Sequence, residues 1–271
     1  MAELIAALAM AALAVGCGGG GKQTSTAIST EAGYTVPQGG ERRGAVPKGI
    51  RAEQPFTLHG AQGDDGGIDF NAYDETMNDA LGAINEYWAE TLPNEFGVEW
   101  VEPDEFIAYY PPEQEGPSCG GEPVGPENAV YCFEGDSDFI AWDEPGLMLP
   151  FYAESGGMAN AVVLAHEFGH GVQARLELSD KFKHTIEAEL QADCFAGAWA
   201  QRADEQGLLT EDDADQAVDA VVAISDPEGV PWNDPDAHGV ADERLQAFSD
   251  GFDGGAKGCV EDYASGFSEE G

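Results

Sequence analysis

The pentapeptide His166-Glu167-Phe168-Gly169-His170 follows the apolar run Ala161-Val162-Val163-Leu164-Ala165, and this pattern in this setting constrains the chain more than any other feature. Histidines four apart lie one turn apart on the same face of a helix, so both imidazoles can reach one ion. Glu167 is turned about 100° from His166 and reaches a water on that ion instead of the ion itself, as a general base must. The spacing encodes two metal ligands and a base. The chain holds only five histidines, so composition alone does not make the pattern expected. The alternative is two surface histidines on an ordinary amphipathic helix.

A zinc site that performs chemistry needs a third protein ligand and one open position. A third histidine in H-E-x-x-H-x-x-G-x-x-H is ruled out, because position 176 is Leu176. His184 is a candidate by residue type only. The stronger candidate lies in Ile186-Glu187-Ala188-Glu189-Leu190-Gln191-Ala192-Asp193-Cys194, an alanine-rich segment that continues through Phe195, Ala198 and Trp199 and reads as a second helix. Glu189 and Asp193 share one face. This suits Glu189 as a carboxylate ligand and Asp193 as acceptor for the free ring N–H of a ligating histidine. Glu187 points about 200° away from Glu189 and cannot face the same ion. For Glu189 the alternative is a solvated acid in a very acidic chain.

These residues resemble the bacterial neutral zinc metallopeptidase family. The resemblance rests on Val163-Leu164-Ala165-His166-Glu167-Phe168-Gly169-His170-Gly171-Val172-Gln173, on Glu189-Leu190-Gln191-Ala192-Asp193-Cys194-Phe195-Ala196-Gly197-Ala198-Trp199-Ala200, and on His238-Gly239 followed by Arg244, Ala247-Phe248 and Gly251-Phe252. Looser matches lie at Cys119-Gly120 and Val130-Tyr131-Cys132. It implies a gluzincin-like site with His166, His170 and Glu189 on one zinc ion, Glu167 as base, and peptidase chemistry without a stated substrate. The stretch from Gln173 to Glu187 is short for that family, so the wall of the cleft is expected to be trimmed.

Eleven Lys plus Arg against fifty-two Asp plus Glu give 11 − 52 = −41. Such an excess repels itself at low ionic strength, and salt shortens the screening length to about 3 Å at 1 M, so a saline medium is expected. Acidic composition can also signal disorder, but 42% hydrophobic and 10% aromatic residues argue for a packed core. Nucleic acid is not an expected partner, because phosphate contacts need clustered Lys and Arg.

Residues Leu4 to Val15 form an apolar run too short to span a membrane comfortably, and an export signal fits it better. Ala14-Val15-Gly16-Cys17 resembles a bacterial lipoprotein signal in which Cys17 is lipidated, although Glu3 stands where positive charge is usual. The alternative is a buried amino-terminal helix. Cys119, Cys132, Cys194 and Cys259 then remain, an even number in an exported chain, with three possible pairings. Cys119 with Cys132, across a Gly/Pro-rich turn, and Cys194 with Cys259 is the favoured pattern, since it staples the scaffold of the site. A cysteine zinc site lacks any C-x-x-C spacing.

The expected organisation is a signal segment over 1–17, a flexible linker over 18–66, a metallopeptidase domain over 67–262 and a tail over 263–271. Met77, Leu81, Ile84, Trp88 and Leu92 predict an amphipathic helix from Tyr73 to Leu92, ended by Pro93. Short strands are predicted at Val98–Val101, Phe106–Tyr110, Ala129–Cys132 and Phe139–Trp142, the last of them a possible rim for an extended peptide. A third helix opens at Thr210 and runs to about Ile224, and a last short helix passes through Arg244 and Phe248. The Asp/Pro-rich loop before it delivers His238, a candidate donor to an oxyanion, and Arg244 is a candidate for holding a site carboxylate. The alternative is a capping histidine and a salt-bridged arginine. Tyr152 and Tyr131 are further candidate donors. The expected whole is an α+β, zincin-like domain with a small sheet and two metal-site helices, tethered by lipid at the cell surface and acting on peptide or protein substrates. A scaffold lipoprotein with a structural zinc, and a hydrolase of cell-wall amides, are the alternatives; an intact Glu167 argues against the first.

Overall fold

The computed structural model describes residues 68–135 and 137–263. The signal segment with Cys17, the linker over 18–66 and the tail beyond Tyr263 lie outside the described residues. Helix α1 (Phe70–Thr91) starts on Asp69, whose Oδ1 accepts the N–H groups of Asn71 and Ala72 at 3.1 and 3.2 Å. Tyr73, Met77, Leu81, Ile84 and Trp88 recur every three to four residues and are fully buried along one face. The α-helix stops at Thr91, just ahead of Pro93, as the sequence predicts. A π turn (Leu92–Phe96) follows, with the proline near its start, where a missing N–H costs little.

Val98–Val101 is not a strand. Instead of a ladder partner, its Val101 carbonyl accepts two hydrogen bonds from Arg175, and the Trp100 side chain donates from Nε1 to Asn85 Oδ1 at 2.6 Å. The predicted strands that follow do pair. β1 (Glu105–Tyr109) runs parallel to β5 (Ser137–Asp143), and β4 (Ala129–Glu134) runs antiparallel to β5, giving the order β1-β5-β4. Central β5 is buried from Phe139 to Asp143, whereas β4 lies at an edge. A two-stranded ribbon, β2 (Ser118–Cys119) with β3 (Glu122–Pro123), is fastened to β4 by the Cys119–Cys132 disulfide.

A second π turn (Glu144–Met148) and α2 (Leu149–Ser155) lead to Gly156, whose φ of 92° breaks the helix before α3 (Gly157–Arg175). Helix α3 is buried almost throughout, packed by α1, α4 (Thr185–Glu205), α5 (Glu211–Ala223) and β4. Thr210 caps α5 as predicted, its backbone N–H donating in turn to Asp213 Oδ2 at 2.8 Å. The last helix, α6 (Ala241–Tyr263), is longer than the short one predicted and bends at Gly255. It persists because it lies along α4. A Cβ on Gly197 would strike the Phe248 carbonyl and one on Gly251 the Cys194 carbonyl, so two glycines let the backbones touch. The Cys194–Cys259 disulfide closes the same seam. The described residues thus form an α+β structure of several helices and one small sheet around a single main apolar cluster. Among them, no helix is long and apolar enough to cross a membrane.

Candidate metal centre

The run from Ala161 to Ala165 has the small and aliphatic residues of a buried helix, and it carries His166 and His170 to the face shared with α4. The helices can meet there because residue 169 is glycine. A Cβ at Gly169 would come within 2.9 Å of the Ala192 Cα. Glu189 and Asp193 project from α4 into the same contact. His166 Nε2 lies 3.1 Å from Glu189 Oε2 and 3.2 Å from His170 Nε2, and His170 Nε2 lies 3.4 Å from Glu189 Oε1. Among the described residues these three side chains are the group of donors that could hold a metal ion.

Around this triangle the ring orientations are set from outside. His166 Nδ1 is 2.8 Å from Asp193 Oδ1, and Asp193 takes two further hydrogen bonds from Arg244, Nε to Oδ2 at 2.7 Å and Nη2 to Oδ1 at 2.8 Å. Arg244 is 2% exposed and also donates from Nη1 to the Ile224 carbonyl at 2.7 Å, joining α6 to the end of α5. Burial opposes protonation of His166, but the carboxylates of Asp193 and Glu189 outweigh it and push its pKa up to about 10. Burial would raise Glu189, yet the two imidazoles hold it well below the usual carboxylate range. Burial likewise opposes ionisation of Asp193, and the Arg244 guanidinium with His166 brings it below its ordinary value. The carboxylates of Glu189 and Asp193 thus make this buried pocket favour positive charge.

The other predicted residues fall into distinct places. Glu167 is 6% exposed beside the triangle and lines the same cleft, a cavity of about 770 Å³ bounded by edge strand β4 on one side. His238 also lines this cleft, from a rim loop; its side chain is 53% exposed, with Nδ1 3.7 Å from Asp226 Oδ1. Asp226 Oδ2 accepts the N–H groups of His238 and Gly239 at 2.6 and 2.9 Å, which holds the loop. Tyr131 lines the cleft with its hydroxyl against Arg175, which is paired with Asp138 at 2.7 Å. Tyr152 is not brought to the cleft and packs edge-on against Tyr73 instead. His184 precedes α4, and Glu187 turns back to accept the N–H groups of Lys183 and His184, so neither joins the donor group.

One residue to which the sequence assigned no role belongs here. Gln173 Oε1 is 2.9 Å from His170 Nδ1, and its amide donates to the Ala188 carbonyl at 2.7 Å. Its position three residues after His170, on the same helix face, was the available signal.

A family model described as "Putative neutral zinc metallopeptidase" matches residues 119–263, more than half of the chain. "Uncharacterized protein YpfJ" of Escherichia coli (strain K12) is 28% identical over 194 residues, 65% of this chain and 66% of that protein, so the match spans just under two thirds of the relative's length. "Uncharacterized protein Rv2575" of Mycobacterium tuberculosis (strain ATCC 25618 / H37Rv) is 27% identical over 247 residues, covering 78% of this chain and 80% of that one. No solved structure matches the chain. The matched span contains both site helices, the edge strand and Arg244, and with it the chain belongs to the neutral zinc metallopeptidase family, whose membership implies zinc.

Proposed function

We propose that the protein is a zinc-dependent peptidase that hydrolyses peptide bonds at the cell surface, with a gluzincin-like centre. The observation that carries this reading is the convergence of His166 Nε2, His170 Nε2 and the Glu189 carboxylate at 3.1 to 3.4 Å. Four-coordinate zinc with bonds of about 2.0–2.1 Å keeps its donors roughly 3.3 Å apart, so the donor set fits in chemistry and in spacing. His166, His170 and Glu189 would hold the ion. Zinc, when bound, supplies Lewis acidity, polarising a carbonyl and acidifying water.

The chain's own residues supply the proton traffic. Glu167 follows His166 on the helix and faces the cleft, so it takes a proton from the attacking water and later gives it to the leaving amine. His238, which lines the same cleft, donates to the oxyanion that develops at the attacked carbon. Edge strand β4 offers unpaired backbone groups to an extended peptide beside the centre. Asp193 and Arg244 hold the His166 ring so that its Nε2 faces inward. Attachment through a lipidated Cys17 would place this domain outside the cell, consistent with two disulfides in the described residues.

Incubating the zinc-loaded protein with a peptide library in high salt, and identifying the products by mass spectrometry, tests the activity. Glu167→Gln is expected to keep zinc bound and to lower turnover at least about a hundredfold. Unchanged turnover in that variant would sink the mechanism.

A further inference from the structure

The two histidines of the centre are oriented by different chemistry. His166 has a charged outer partner, Asp193, itself locked by Arg244, whereas His170 meets an amide. Gln173 is 4% exposed, so its contacts are largely closed to bulk water. A carbonyl can only accept a hydrogen bond, so the Gln173 atom 2.7 Å from the Ala188 oxygen must be the NH₂ group. Oε1 is therefore the atom that faces His170 Nδ1 at 2.9 Å, and it too can only accept. His170 must then carry its proton on Nδ1. The lone pair is left on Nε2, the atom 3.2 Å from His166 Nε2 and 3.4 Å from Glu189 Oε1. The same amide reaches the backbone of the residue just before Glu189, so one side chain registers α3 against α4 where the third donor emerges. A carboxylate here could not donate to Ala188, and an apolar side chain could do neither job.

We propose that Gln173 is a positioning residue that sets the tautomer and ring orientation of His170 through the Ala188 carbonyl. The inference rests on His166, His170 and Glu189 being the zinc ligands. It is tested on the full chain with Zn²⁺ itself as the probe, using competition against a chromophoric chelator. Gln173→Met, of similar length but without either hydrogen bond, is expected to weaken zinc roughly tenfold to a hundredfold and to alter the visible bands of the Co²⁺-substituted protein. Gln216→Met is the control. It removes a buried amide, whose oxygen accepts the Met158 N–H at 3.1 Å, and should lower stability without moving zinc affinity. In the wild-type zinc form, ¹⁵N-imidazole spectra should show His170 protonated at Nδ1.

A wild-type protein that takes up no zinc would overturn the reading of the centre and this inference with it. Tight binding by the wild type, matched in affinity and Co²⁺ spectrum by Gln173→Met, would overturn the role of Gln173 alone. A His170 ring bare at Nδ1 in the wild type would do the same, whether or not the variant folds.

Discussion

Glu189 touches both histidines at once, one carboxylate oxygen to each, and against its burial the two imidazoles hold its pKa well below the usual carboxylate range. Glu189→Ala removes one of three donors. Zinc affinity, measured by chelator competition, is expected to fall on the order of a hundredfold or more. Full retention would move the third ligand elsewhere. A second buried acid behaves in the opposite way. Burial raises Glu144 to about 7, although Trp142 Nε1 donates to it at 2.6 Å. A carboxyl whose folded pKa lies above its unfolded value contributes stability below about 4.5, and that contribution is lost as pH rises through about 7. Glu144→Gln should therefore be more stable than the wild type at pH 8, by about 3 kcal/mol, with the gap closing below about pH 4.5. Urea unfolding of both proteins at the two pH values checks this, and a difference independent of pH would refute it.

The elements that hold the centre meet through small residues more than through large ones. Gly169 admits α4 against α3, and Gly197 and Gly251 admit α6 against α4. A methyl group at position 251 would collide with the Cys194 carbonyl, next to Asp193, on the helix that also carries Arg244 through its first turns. Gly251→Ala is expected to destabilise by about 1–3 kcal/mol as the two helices are forced apart. Denaturant midpoints measure it, and an unchanged midpoint would show that the seam gives way freely. Periodicity revealed where these helices lie, and the i, i+4 pairs showed which faces carry the candidate donors. It could not reveal the close seam, because a glycine in a helix reads equally as a weak point and as a contact.

Across the whole molecule, the net charge of −41 governs how stability responds to the medium. The ion pairs of Arg244 with Asp193 and Arg175 with Asp138 are largely buried, and salt screens such pairs far less than it screens surface repulsion. Stability should be lowest in dilute buffer and rise towards molar salt. Thermal unfolding across that range tests it, and a flat response would remove the saline reading. Reduction should lower stability further at every salt concentration. The Cys119–Cys132 and Cys194–Cys259 links span 13 and 65 residues, and closing loops of that size contributes about 3 and 4 kcal/mol.

His166, Glu167, His170, Glu189 and Asp193 were legible in the sequence because helical spacing alone puts them on faces, and a face is a local property of the backbone. The strands at β1, β4 and β5 were legible for the same reason. What the sequence by itself could not decide was everything that depends on a partner distant along the chain. Val98–Val101 has a strand-like composition, but its Val101 carbonyl takes Arg175 as partner instead of a neighbouring strand. Tyr152 and Tyr131 look alike as donors, yet packing turns one towards Tyr73 and the other into the cleft. The length of α6 follows from its seam with α4, and the role of Gln173 from a carbonyl on another helix. Local spacing determined which groups could act, and only tertiary packing determined which of them meet, because hydrogen bonds and close contacts are satisfied in space and not in order along the chain.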